Sequence, residues 1–466
     1  MQNITTGFAR LKASTPRLAQ TSARERADKL RALLNATLAA KQRFFEASYE
    51  ELKSCDLDVA GQLMMIKTEV DFAAKHLEKW MKPRKVPNSA ATFGKKCYIR
   101  YEPKGVMLNL STWNAPVCIS LIPPIAAIAA GNAVALKPSE LAPLSGGVVR
   151  EVVESVFSAD EFAVFEGGPD VAQALLEQPW NHIYYTGGQR VGRIVMKAAA
   201  EYFSGVTLEM GGKNPVFIDA SADIPNAARK IAWGRLANSG QVCVAPDYAL
   251  VHASRHEAFI TALKDNISAM YNPKGEGFDK SSEYLRIVNE AQASRIKRLI
   301  DDAVAKGAQV AFGGEVRVSE RFVAPTILTG VTEEMEILHE EVFGPVLAVL
   351  PYQHRDDAIE MVRRRPKPLA LYIYATEREA MDYFLTNTSA GSTVINHNLI
   401  QSGTNPNLPF GGANHSGIGR IGGERGFQEM SNARSVVEQP LGWRDFAFNF
   451  PPYSKNYRKM IEKALG

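Results

Sequence analysis

Residues 106–140 read VMLNLSTWNAPVCISLIPPIAAIAAGNAVALKPSE and decide the fold class. Two short apolar runs, Val106–Leu110 and Ala133–Leu136, lie on either side of a longer apolar segment, Ile119–Ala130. Short apolar runs are typical of buried strands, whereas the longer segment favours a helix. A strand, a helix and a second strand within about 30 residues predict a parallel βαβ unit, because parallel strands need a crossover connection.

The same alternation continues along the chain. Leu144–Val156 and Val191–Phe203 are predicted helices, and the strands Phe162–Phe165 and Ile183–Tyr185 lie between them. After Gly211–Gly212 the alternation begins again. This second part contains the predicted helices Arg255–Tyr271 and Asn289–Lys306 and the predicted strands Val216–Ile218, Tyr248–Val251, Val310–Phe312, Val346–Leu350, Leu371–Tyr374 and Thr393–Ile395. The sequence therefore predicts an α/β fold with two doubly wound units and a boundary near residue 210.

The N-terminal part has a helical pattern instead. Apolar residues recur at helical spacing from Ser22 to Lys53 and again from about Val59 to Lys82, which predicts two amphipathic helices. The following segment, Lys82–Lys96, contains two prolines, a glycine and five basic residues. Such a composition indicates a connection between layers.

The composition excludes several classes of protein. Of the 466 residues, 45% are hydrophobic and 22% are charged, which is ordinary for a globular chain. The formal net charge of +4 is too small over this length to predict a nucleic acid or an acidic membrane as partner. The four cysteines, Cys55, Cys97, Cys118 and Cys243, are too few and too far apart for a disulfide framework or a zinc ribbon, and no metal site is predicted.

Signals for secretion or membrane insertion are not expected either. The first thirty residues contain no apolar core of a signal peptide. The longest apolar stretch, Ala115–Ala130, is interrupted by Pro123 and Pro124 and is too short to span a bilayer. The C-terminal segment Phe446–Gly466 is aromatic and then basic, which does not predict a membrane anchor. We therefore expect a cytoplasmic protein in a reducing compartment.

Cys243 is the first candidate for catalysis. It ends the sequence NSGQVC, residues 238–243, in which Gly240 allows a tight turn that presents the thiol. A thiolate is a strong nucleophile at neutral pH, although a single cysteine in a globular chain more often serves packing. That packing interpretation is favoured for the other three cysteines, of which Cys118 lies closest in sequence to Asn114.

Five further segments carry charged residues or glycines beside predicted strands or in loops. Glu209, in TLEMGGK, ends an apolar strand at the edge where open α/β sheets bind ligands. The glycines of TGGQRVG, residues 186–192, follow a strand and begin a helix, where backbone amides can approach a pyrophosphate. The segments KPSE, EVFGP and PFGG begin at residues 137, 341 and 409. Taken alone, each of these three segments could also be a polar turn or a loop with only a structural role.

Taken together, these motifs resemble those of the aldehyde dehydrogenase superfamily, and the resemblance covers nearly the whole chain. Phe450-Pro451-Pro452-Tyr453, the short N-terminus and the stretch Trp233–Tyr248 resemble the class 3 and fatty-aldehyde branch of that family. The motifs that carry the resemblance are, in chain order, Thr112-Trp113-Asn114, Lys137-Pro138-Ser139-Glu140, Thr186-Gly187, Leu208-Glu209-Met210-Gly211-Gly212-Lys213, Gly240-Gln241-Val242-Cys243, Glu341-Val342-Phe343-Gly344-Pro345 and Pro409-Phe410-Gly411-Gly412.

The resemblance implies a catalytic role for three residues. Cys243 would attack the aldehyde carbon to form a thiohemiacetal, and Asn114 would stabilise the oxyanion together with the backbone N–H of Cys243. Hydride transfer to a nicotinamide would leave a thioester. Glu209 would then take a proton from the water that hydrolyses this thioester to the acid.

The resemblance also implies NAD as cofactor, with NADP possible. Lys137, Glu140 and Glu341 would hold ribose hydroxyls, which favours NAD because carboxylates suit a free 2′-hydroxyl better than a phosphate. Many relatives have a serine where this chain has Gly188, and this departure puts the affinity and pose of the cofactor in doubt. The cofactor-binding residues implied in this way are Trp113, Lys137, Glu140, Gly187, Gly188, Gly192, Glu341 and Phe343.

The family architecture implies a division of the chain. Residues 1–81 and 105–209 would form a Rossmann-like dinucleotide-binding domain, and residues 210–411 the catalytic domain. Residues 82–104 and 430–442 would form a small bridging arm that extends the partner subunit's sheet, and residues 443–466 a C-terminal tail. Class 3 members are typically dimers, so a homodimer is expected.

Alternative activities stay open at this point. A CoA-acylating dehydrogenase shares the cysteine but usually lacks the acid at Glu209, and a family member retained only for binding or structure would be expected to lose Cys243, Asn114 or Glu209. A physiological reductase is disfavoured because thioester hydrolysis is strongly downhill.

The segments near the thiol predict the type of substrate. Between Ile231 and Tyr248 the only basic residue is Arg235, which should point away from Cys243, and the loop Ile395–Phe410 contains no Lys or Arg. A site that selects an acidic aldehyde needs a fixed cation. We therefore expect a small-molecule aldehyde that is aromatic or a medium to long aliphatic chain.

Overall fold

A six-stranded sheet forms the first part of the fold in the computed structural model, which describes residues 4–401, 404–440 and 450–466. Its strands run in the spatial order Gly417–Ile418, Gly205–Met210, His182–Gly187, Val106–Leu110, Ala133–Lys137 and Phe162–Val164. All neighbours are parallel except Gly417–Ile418, which pairs antiparallel to Gly205–Met210. The helices between these strands are Pro116–Ala130, Pro143–Glu154, Pro169–Leu176 and Gln189–Glu201.

A second, seven-stranded sheet follows in the chain. Its spatial order is Gln309–Phe312, Thr326–Thr329, Val346–Tyr352, Tyr248–His252, Pro215–Ile218, Ala370–Tyr374 and Ser392–Ile395. Only Gln309–Phe312 is antiparallel to its neighbour. The helices of this part are Ile224–Leu236, His256–Tyr271, Glu290–Ala305, Arg355–Arg363 and Arg378–Asn387. Two parallel sheets, each covered by helices, agree with the predicted α/β fold class.

Some elements differ from the sequence-based prediction. Thr326–Thr329 is a strand that the pattern did not indicate, and Val316–Arg317 pairs with Phe322–Val323 in a separate two-stranded sheet. The N-terminal helix Ile4–Ala19 was not predicted either. Its buried Phe8 and Leu11 pack in the same apolar cluster as Val106 and Leu108 of the six-stranded sheet.

The single helix predicted from Ser22 to Lys53 is wrong, because the chain forms two helices there. Ala23–Ala39 begins with a capping box in which Ser22 and Glu25 exchange hydrogen bonds, and it ends at Ala40, where Lys41–Leu52 starts. Both helices contact Asp56–Met81 and Pro143–Glu154, and the first packs mainly on Asp56–Met81. The chain turns at the buried Ala40, which keeps the apolar residues of both helices against these partners.

A three-stranded antiparallel sheet contains the segments predicted as the arm. Lys96–Pro103 lies between Arg84–Lys85 and Ser431–Glu438. The helices Gly423–Glu429 and Lys455–Leu465 complete the described elements. The parts of the predicted units at residues 1–3, 441–442 and 443–449 lie outside the described residues, and the domain limits remain predictions. No helix in the described part of the chain is long and apolar enough to cross a bilayer.

A buried ion-pair cluster lies beside the link between the two sheets, near residue 213. Lys213 Nζ lies 2.9 Å from Asp247 Oδ2, and Arg235 Nη1 lies 3.4 Å from Asp247 Oδ1. The Asp247 side chain is only 2% exposed. Such a carboxylate is tolerated in the interior because two cations and the Val342 N–H surround it.

We expect Asp247→Ala to lower the free energy of unfolding by about 3–5 kcal/mol, because it leaves buried cations without a partner. The matched control is Asp301→Ala, which breaks a pair between Asp301 and Lys297 that is about half exposed. This control should cost about 0–1 kcal/mol. Urea denaturation followed by circular dichroism measures both variants. Equal urea midpoints for the two variants would show that the buried ion-pair cluster does not stabilise the fold.

Candidate active site

The predicted catalytic and cofactor residues gather at the carboxyl edge of the six-stranded sheet. Asn114 lies just after Val106–Leu110, and Lys137 ends the next strand, Ala133–Lys137. Gly187 ends His182–Gly187, and Glu209 is the penultimate residue of Gly205–Met210. Because parallel strands end at the same edge, residues far apart in sequence meet there.

The turn before Cys243 is strained. Asn238 and Ser239 have left-handed φ angles of 49° and 50°, and Gly240 follows with φ of 76°. A Cβ atom at Gly240 would lie 2.2 Å from the carbonyl oxygen of Gly344, so only glycine fits there. Left-handed residues other than glycine cost free energy and persist where the surroundings hold them. The turn lies between the helix that ends at Leu236 and Cys243, whose side chain is half-buried.

Asn114 is attached directly to this turn. Its side-chain Nδ2 donates to the carbonyl of Gln241 at 2.9 Å, and Asn238 Nδ2 donates to the carbonyl of Asn114 at 2.7 Å. A primary amide has two N–H groups, so the second N–H of Asn114 remains for an oxygen of a substrate. These bonds hold the predicted oxyanion donor in a fixed position relative to the turn that precedes Cys243.

Two side chains that the sequence analysis left without a role hold the loop on its other side. Asn214 Nδ2 donates to the carbonyls of Cys243 and Ala245 at 2.8 and 3.0 Å, and its Oδ1 accepts the N–H of Ala370. Gln241 Nε2 donates to the carbonyls of Asn238 and Arg286, and its Oε1 accepts the N–H of Val288. These are side-chain bonds to the backbone of distant elements, so no local pattern predicts them. The only signal for these bonds in the sequence was that Gln241 belongs to the motif Gly240-Gln241-Val242-Cys243.

Burial and nearby acidic groups favour the protonated form of the Cys243 thiol. Burial raises the pKa of Cys243 far above its usual value, and the nearby carboxylates of Glu209 and Glu341 raise it further. A hydrogen bond from its own backbone N–H acts in the opposite direction. The thiol therefore needs a proton acceptor or a change in its surroundings before it becomes a nucleophile.

Glu209 is a buried carboxyl with unused hydrogen-bonding capacity. Within the described residues, neither of its carboxyl oxygens has a hydrogen-bond partner. Burial raises the pKa of Glu209 well above its usual range, Arg420 lowers it, and Glu429 raises it. A carboxyl of raised pKa with free lone pairs, close to a thiol, is suited to accept a proton from water near neutral pH.

The glycine loop fits a dinucleotide phosphate. A Cβ atom at Gly188 would have nothing within 4 Å, and Gly188 begins the helix Gln189–Glu201 without a side-chain cap. The first N–H groups of that helix therefore have room for an anion. Gly187 and Gly192 are packed instead, because their Cβ atoms would lie 2.3 Å from Tyr185 Oη and 2.5 Å from Met210 Sδ.

The remaining predicted cofactor residues form two groups. Lys137 Nζ lies 2.8 Å from Glu140 Oε2, so these two side chains form an ion pair. The rings of Trp113 and Phe343 meet edge to face with centroids 5.6 Å apart. The carboxylate of Glu341 fills the space above Gly211, where a Cβ atom would lie 2.2 Å from it. Burial raises the pKa of Glu341 to about 8, with a further contribution from Asp247.

Comparison with known proteins identifies the family. The chain matches the model of the aldehyde dehydrogenase family over residues 3–436. It is 37% identical to human aldehyde dehydrogenase family 3 member B1 over 91% of this chain and 89% of that protein. It is 36% identical to the dimeric NADP-preferring aldehyde dehydrogenase of Canis lupus familiaris, with 82% of each chain covered. The chain therefore belongs to the aldehyde dehydrogenase family and is an enzyme of that class, which confirms the prediction.

Solved structures agree with this result. The fold matches Staphylococcus aureus AldH in a substrate-bound state with a TM-score of 0.93, 35% identity and 100% of both chains covered. It also matches an aldehyde dehydrogenase from Bacillus cereus in complex with NAD⁺, with a TM-score of 0.83, 27% identity and 94% and 89% of the two chains covered. These matches confirm the predicted α/β fold, and the family includes enzymes that bind the predicted cofactor.

The position of Glu209 can be tested through the reactivity of the thiol. We expect Glu209→Gln to speed the alkylation of Cys243 by iodoacetamide at about pH 9 by roughly threefold or more, because removal of a carboxylate lowers the pKa of the thiol. Mass spectrometry of the labelled peptide over time gives the rate. The exposed Glu424→Gln is the matched control and should leave the rate unchanged. Slower alkylation in Glu209→Gln would mean that this carboxylate activates the thiol.

Proposed function

We propose that this protein oxidises an aldehyde to the carboxylic acid, with Cys243 as nucleophile, Asn114 as oxyanion donor and Glu209 as the base for deacylation. The proposal depends on one arrangement: the left-handed turn that precedes Cys243 is hydrogen-bonded to Asn114, and the unpartnered buried carboxyl of Glu209 lies within electrostatic range of the thiol. Family membership supports this assignment.

The proposed reaction begins at the thiol. Cys243 loses its proton to solvent and its sulfur forms a bond to the carbonyl carbon, while the second N–H of Asn114 and the backbone N–H of Cys243 bind the oxygen. A donor of this kind contributes roughly 3–4 kcal/mol to a transition state. A nicotinamide cofactor, when bound, would supply the hydride acceptor, so that loss of hydride leaves a thioester on Cys243. Glu209 takes a proton from water, whose oxygen attacks the thioester carbon. The carbon–sulfur bond breaks, the acid leaves, and the proton on Glu209 restores the thiol of Cys243.

We propose NAD as the preferred cofactor, with NADP also accepted. The helix start at Gly188 would hold the pyrophosphate, and Lys137 and Glu140 would contact the ribose of the adenosine half. The ion pair between these two side chains supports this preference, because Glu140 already neutralises the cation that a 2′-phosphate would need. Glu341 would hold the second ribose after moving away from Gly211, with Phe343 beside it. The canine relative is NADP-preferring by name, so the preference for NAD proposed here differs from the preference that the name of that relative states.

We propose an apolar substrate, either aromatic or a medium to long aliphatic aldehyde. Arg235 is buried and binds Asp247 and the carbonyl of Pro246, at 2.6 Å from the latter, which leaves it unable to hold an acidic substrate. Lys230, on the same helix, donates to the carbonyl of Asn396. Residues 402 and 403 of the loop Ile395–Phe410 lie outside the described residues. Arg235 and Lys230 are therefore both bound by groups of the protein itself.

A CoA-acylating activity is the second candidate. It needs the same thiol, Cys243, but it transfers the acyl group to CoA and has no use for a base that activates water. The unpartnered oxygens of Glu209 favour hydrolysis over this alternative. Reactions with and without CoA distinguish the two, because acylation would require CoA for turnover.

The two half-reactions give the sharpest test of the proposed roles. We expect Glu209→Gln to give one burst of reduced cofactor per active site, followed by turnover at least about 100-fold slower than in the wild type, because deacylation lacks its base. The paired variant Cys243→Ser should give no burst while it still binds the cofactor. Stopped-flow absorbance of the reduced cofactor and fluorescence titration measure these properties. Near wild-type turnover in Cys243→Ser would overturn the proposed nucleophile.

Substrate selection is tested with a panel of aldehydes. We expect kcat/KM for benzaldehyde or octanal to exceed that for succinic semialdehyde by at least about tenfold, equivalent to roughly 1.4 kcal/mol, because Arg235 and Lys230 are already bound by groups of the protein. Steady-state kinetics at one cofactor concentration give the ratio. A semialdehyde that is equal or better would show that a cation from elsewhere reaches the substrate.

A further inference from the structure

Five polar or aromatic side chains share one face of the six-stranded sheet. Residues that are paired on neighbouring strands point to the same face, and so does every second residue along one strand. Tyr184 is paired with Asn109 on one side and with Thr207 on the other, and Thr186 is paired with Glu209. On this face Glu209 therefore lies next to Thr186 and diagonally next to Tyr184.

Three of these side chains have buried polar atoms without a partner. In the part of the chain that the structure describes, Asn109 Oδ1, Thr186 Oγ1 and both carboxyl oxygens of Glu209 make no hydrogen bond of ordinary geometry. An amide oxygen and an ionised carboxylate can only accept, so these groups need a donor. Buried polar groups without a partner are uncommon, and several of them beside one carboxyl indicate a function.

The side chain of Tyr184 is placed to supply this donor. It is only 3% exposed, and its ring packs in the apolar cluster that contains Cys118. Two steps along the neighbouring strand put the Cα atoms of Tyr184 and Glu209 about 8 Å apart, which two long side chains can span. The hydroxyl of Tyr184 can therefore reach the carboxyl of Glu209.

The hydroxyl of Tyr184 also keeps its proton in these surroundings. Burial raises the pKa of Tyr184 well above its usual value, and the charges of Glu209 and Cys243 raise it further. The Thr186 side chain acts in the opposite direction. Tyr184 is thus a neutral donor within electrostatic range of both the carboxyl and the thiol.

We propose that Tyr184 is a positioning residue for the base: its hydroxyl donates a hydrogen bond to Glu209 whenever this carboxyl is ionised. The inference rests on the role of Glu209 given under the proposed function. A hydrogen bond to a charged acceptor is strong and stabilises the carboxylate, which is the form that takes a proton from water. Tyr184 gives up no proton in this step, because the proton that Glu209 accepts comes from the attacking water.

Arg420 is the cation that acts on Glu209. Its charge lowers the pKa of Glu209, against the larger effect of burial. A Cβ atom at Gly411 would lie 2.9 Å from Arg420 Cδ and 3.0 Å from Glu209 Oε1, so the two side chains meet at this glycine. Arg420 Nη1 donates instead to the carbonyls of Gly412 and Gly419. Arg420 therefore provides a charge for the base but no hydrogen bond.

The remaining titratable groups near this face are bound to one another. Thr207 Oγ1 donates to Glu429 Oε1 at 3.2 Å and lies 2.9 Å from His182 Nε2, and Lys104 Nζ lies 3.1 Å from His182 Nδ1. Burial and the charge of Lys104 lower the pKa of His182 to about 3, so its ring is neutral. Glu429 raises the pKa of Glu209 through its charge. None of these groups supplies a donor to the base.

The pH dependence of deacylation tests the proposal in Tyr184→Phe, which removes the hydroxyl and keeps the ring. Loss of the donor raises the pKa of Glu209, so the midpoint of the deacylation rate should move up by about one pH unit. The rate should be about tenfold lower below both midpoints and should return to the wild-type value above them. Rapid-quench measurement of acid release gives this rate, and the burst of reduced cofactor should keep its wild-type amplitude.

Infrared titration of the enzyme without substrate gives an independent measurement. The band of the protonated carboxyl of Glu209, identified by its loss in Glu209→Gln, should persist to a pH about one unit higher in Tyr184→Phe. The matched control is Tyr352→Phe, which removes another buried hydroxyl, one that donates to the carbonyl of Ile218 at 3.2 Å. This control should leave both midpoints unchanged.

Three outcomes would overturn the inference. The first is a wild-type midpoint in Tyr184→Phe, and the second is a rate that falls equally at every pH, which would assign Tyr184 to packing alone. The third is a shift in Thr186→Val without one in Tyr184→Phe, which would make Thr186 the donor. Wild-type deacylation in Glu209→Gln is a separate result, because it would remove the proposed role of Glu209 itself.

Discussion

The side chain of Asn214 is the constraint on which the geometry of the site depends. It lies in the short link between Met210, the last residue of the strand Gly205–Met210, and Pro215, the first residue of the seven-stranded sheet in chain order. Its amide donates to the carbonyl of Cys243 and accepts the N–H of Ala370 in the seven-stranded sheet. One buried side chain thereby joins the backbone of Cys243 to the seven-stranded sheet, directly after the strand that carries Glu209. A buried amide that lost these partners would leave several unpaired polar groups, which is costly.

Burial then determines the chemistry that this geometry supports. Glu209 and Glu341 are two carboxyls within electrostatic range of one thiol, and all three groups have a raised pKa. Such a site resists the simultaneous presence of several negative charges. Burial and the carboxyls of Glu209 and Glu341 therefore act in the same direction on Cys243, and all of them disfavour the thiolate.

The strand pattern places Lys137, Gly187 and Glu209 at one edge of the sheet, because each of them ends or follows a short apolar run. The roles of Asn114, Glu341 and Phe343 came only from the family resemblance, and Cys243 was singled out by the glycine turn before it. The hydrogen bonds that the side chains of Asn214 and Asn238 donate were not predicted. Their partners are backbone carbonyls that are either distant in sequence or brought close by a strained turn. The break at Ala40 was missed for a related reason: the apolar spacing continues across it, and only the positions of the two partner helices require the chain to turn.

The segment Glu341–Pro345 shows why glycine spacing carries so much information in this chain. Its side chains and backbone contact three parts of the site at once: Glu341 occupies the space above Gly211, Phe343 meets Trp113, and the carbonyl of Gly344 approaches Gly240. Each contact with a glycine is too close for any Cβ atom. Glycines in such motifs are usually interpreted as leaving space for a ligand. Here they also leave space for other segments of the protein to approach closely. A side chain at Gly211 would displace Glu341, and one at Gly240 would clash with the carbonyl of Gly344, so both glycines determine how residues are arranged around Cys243.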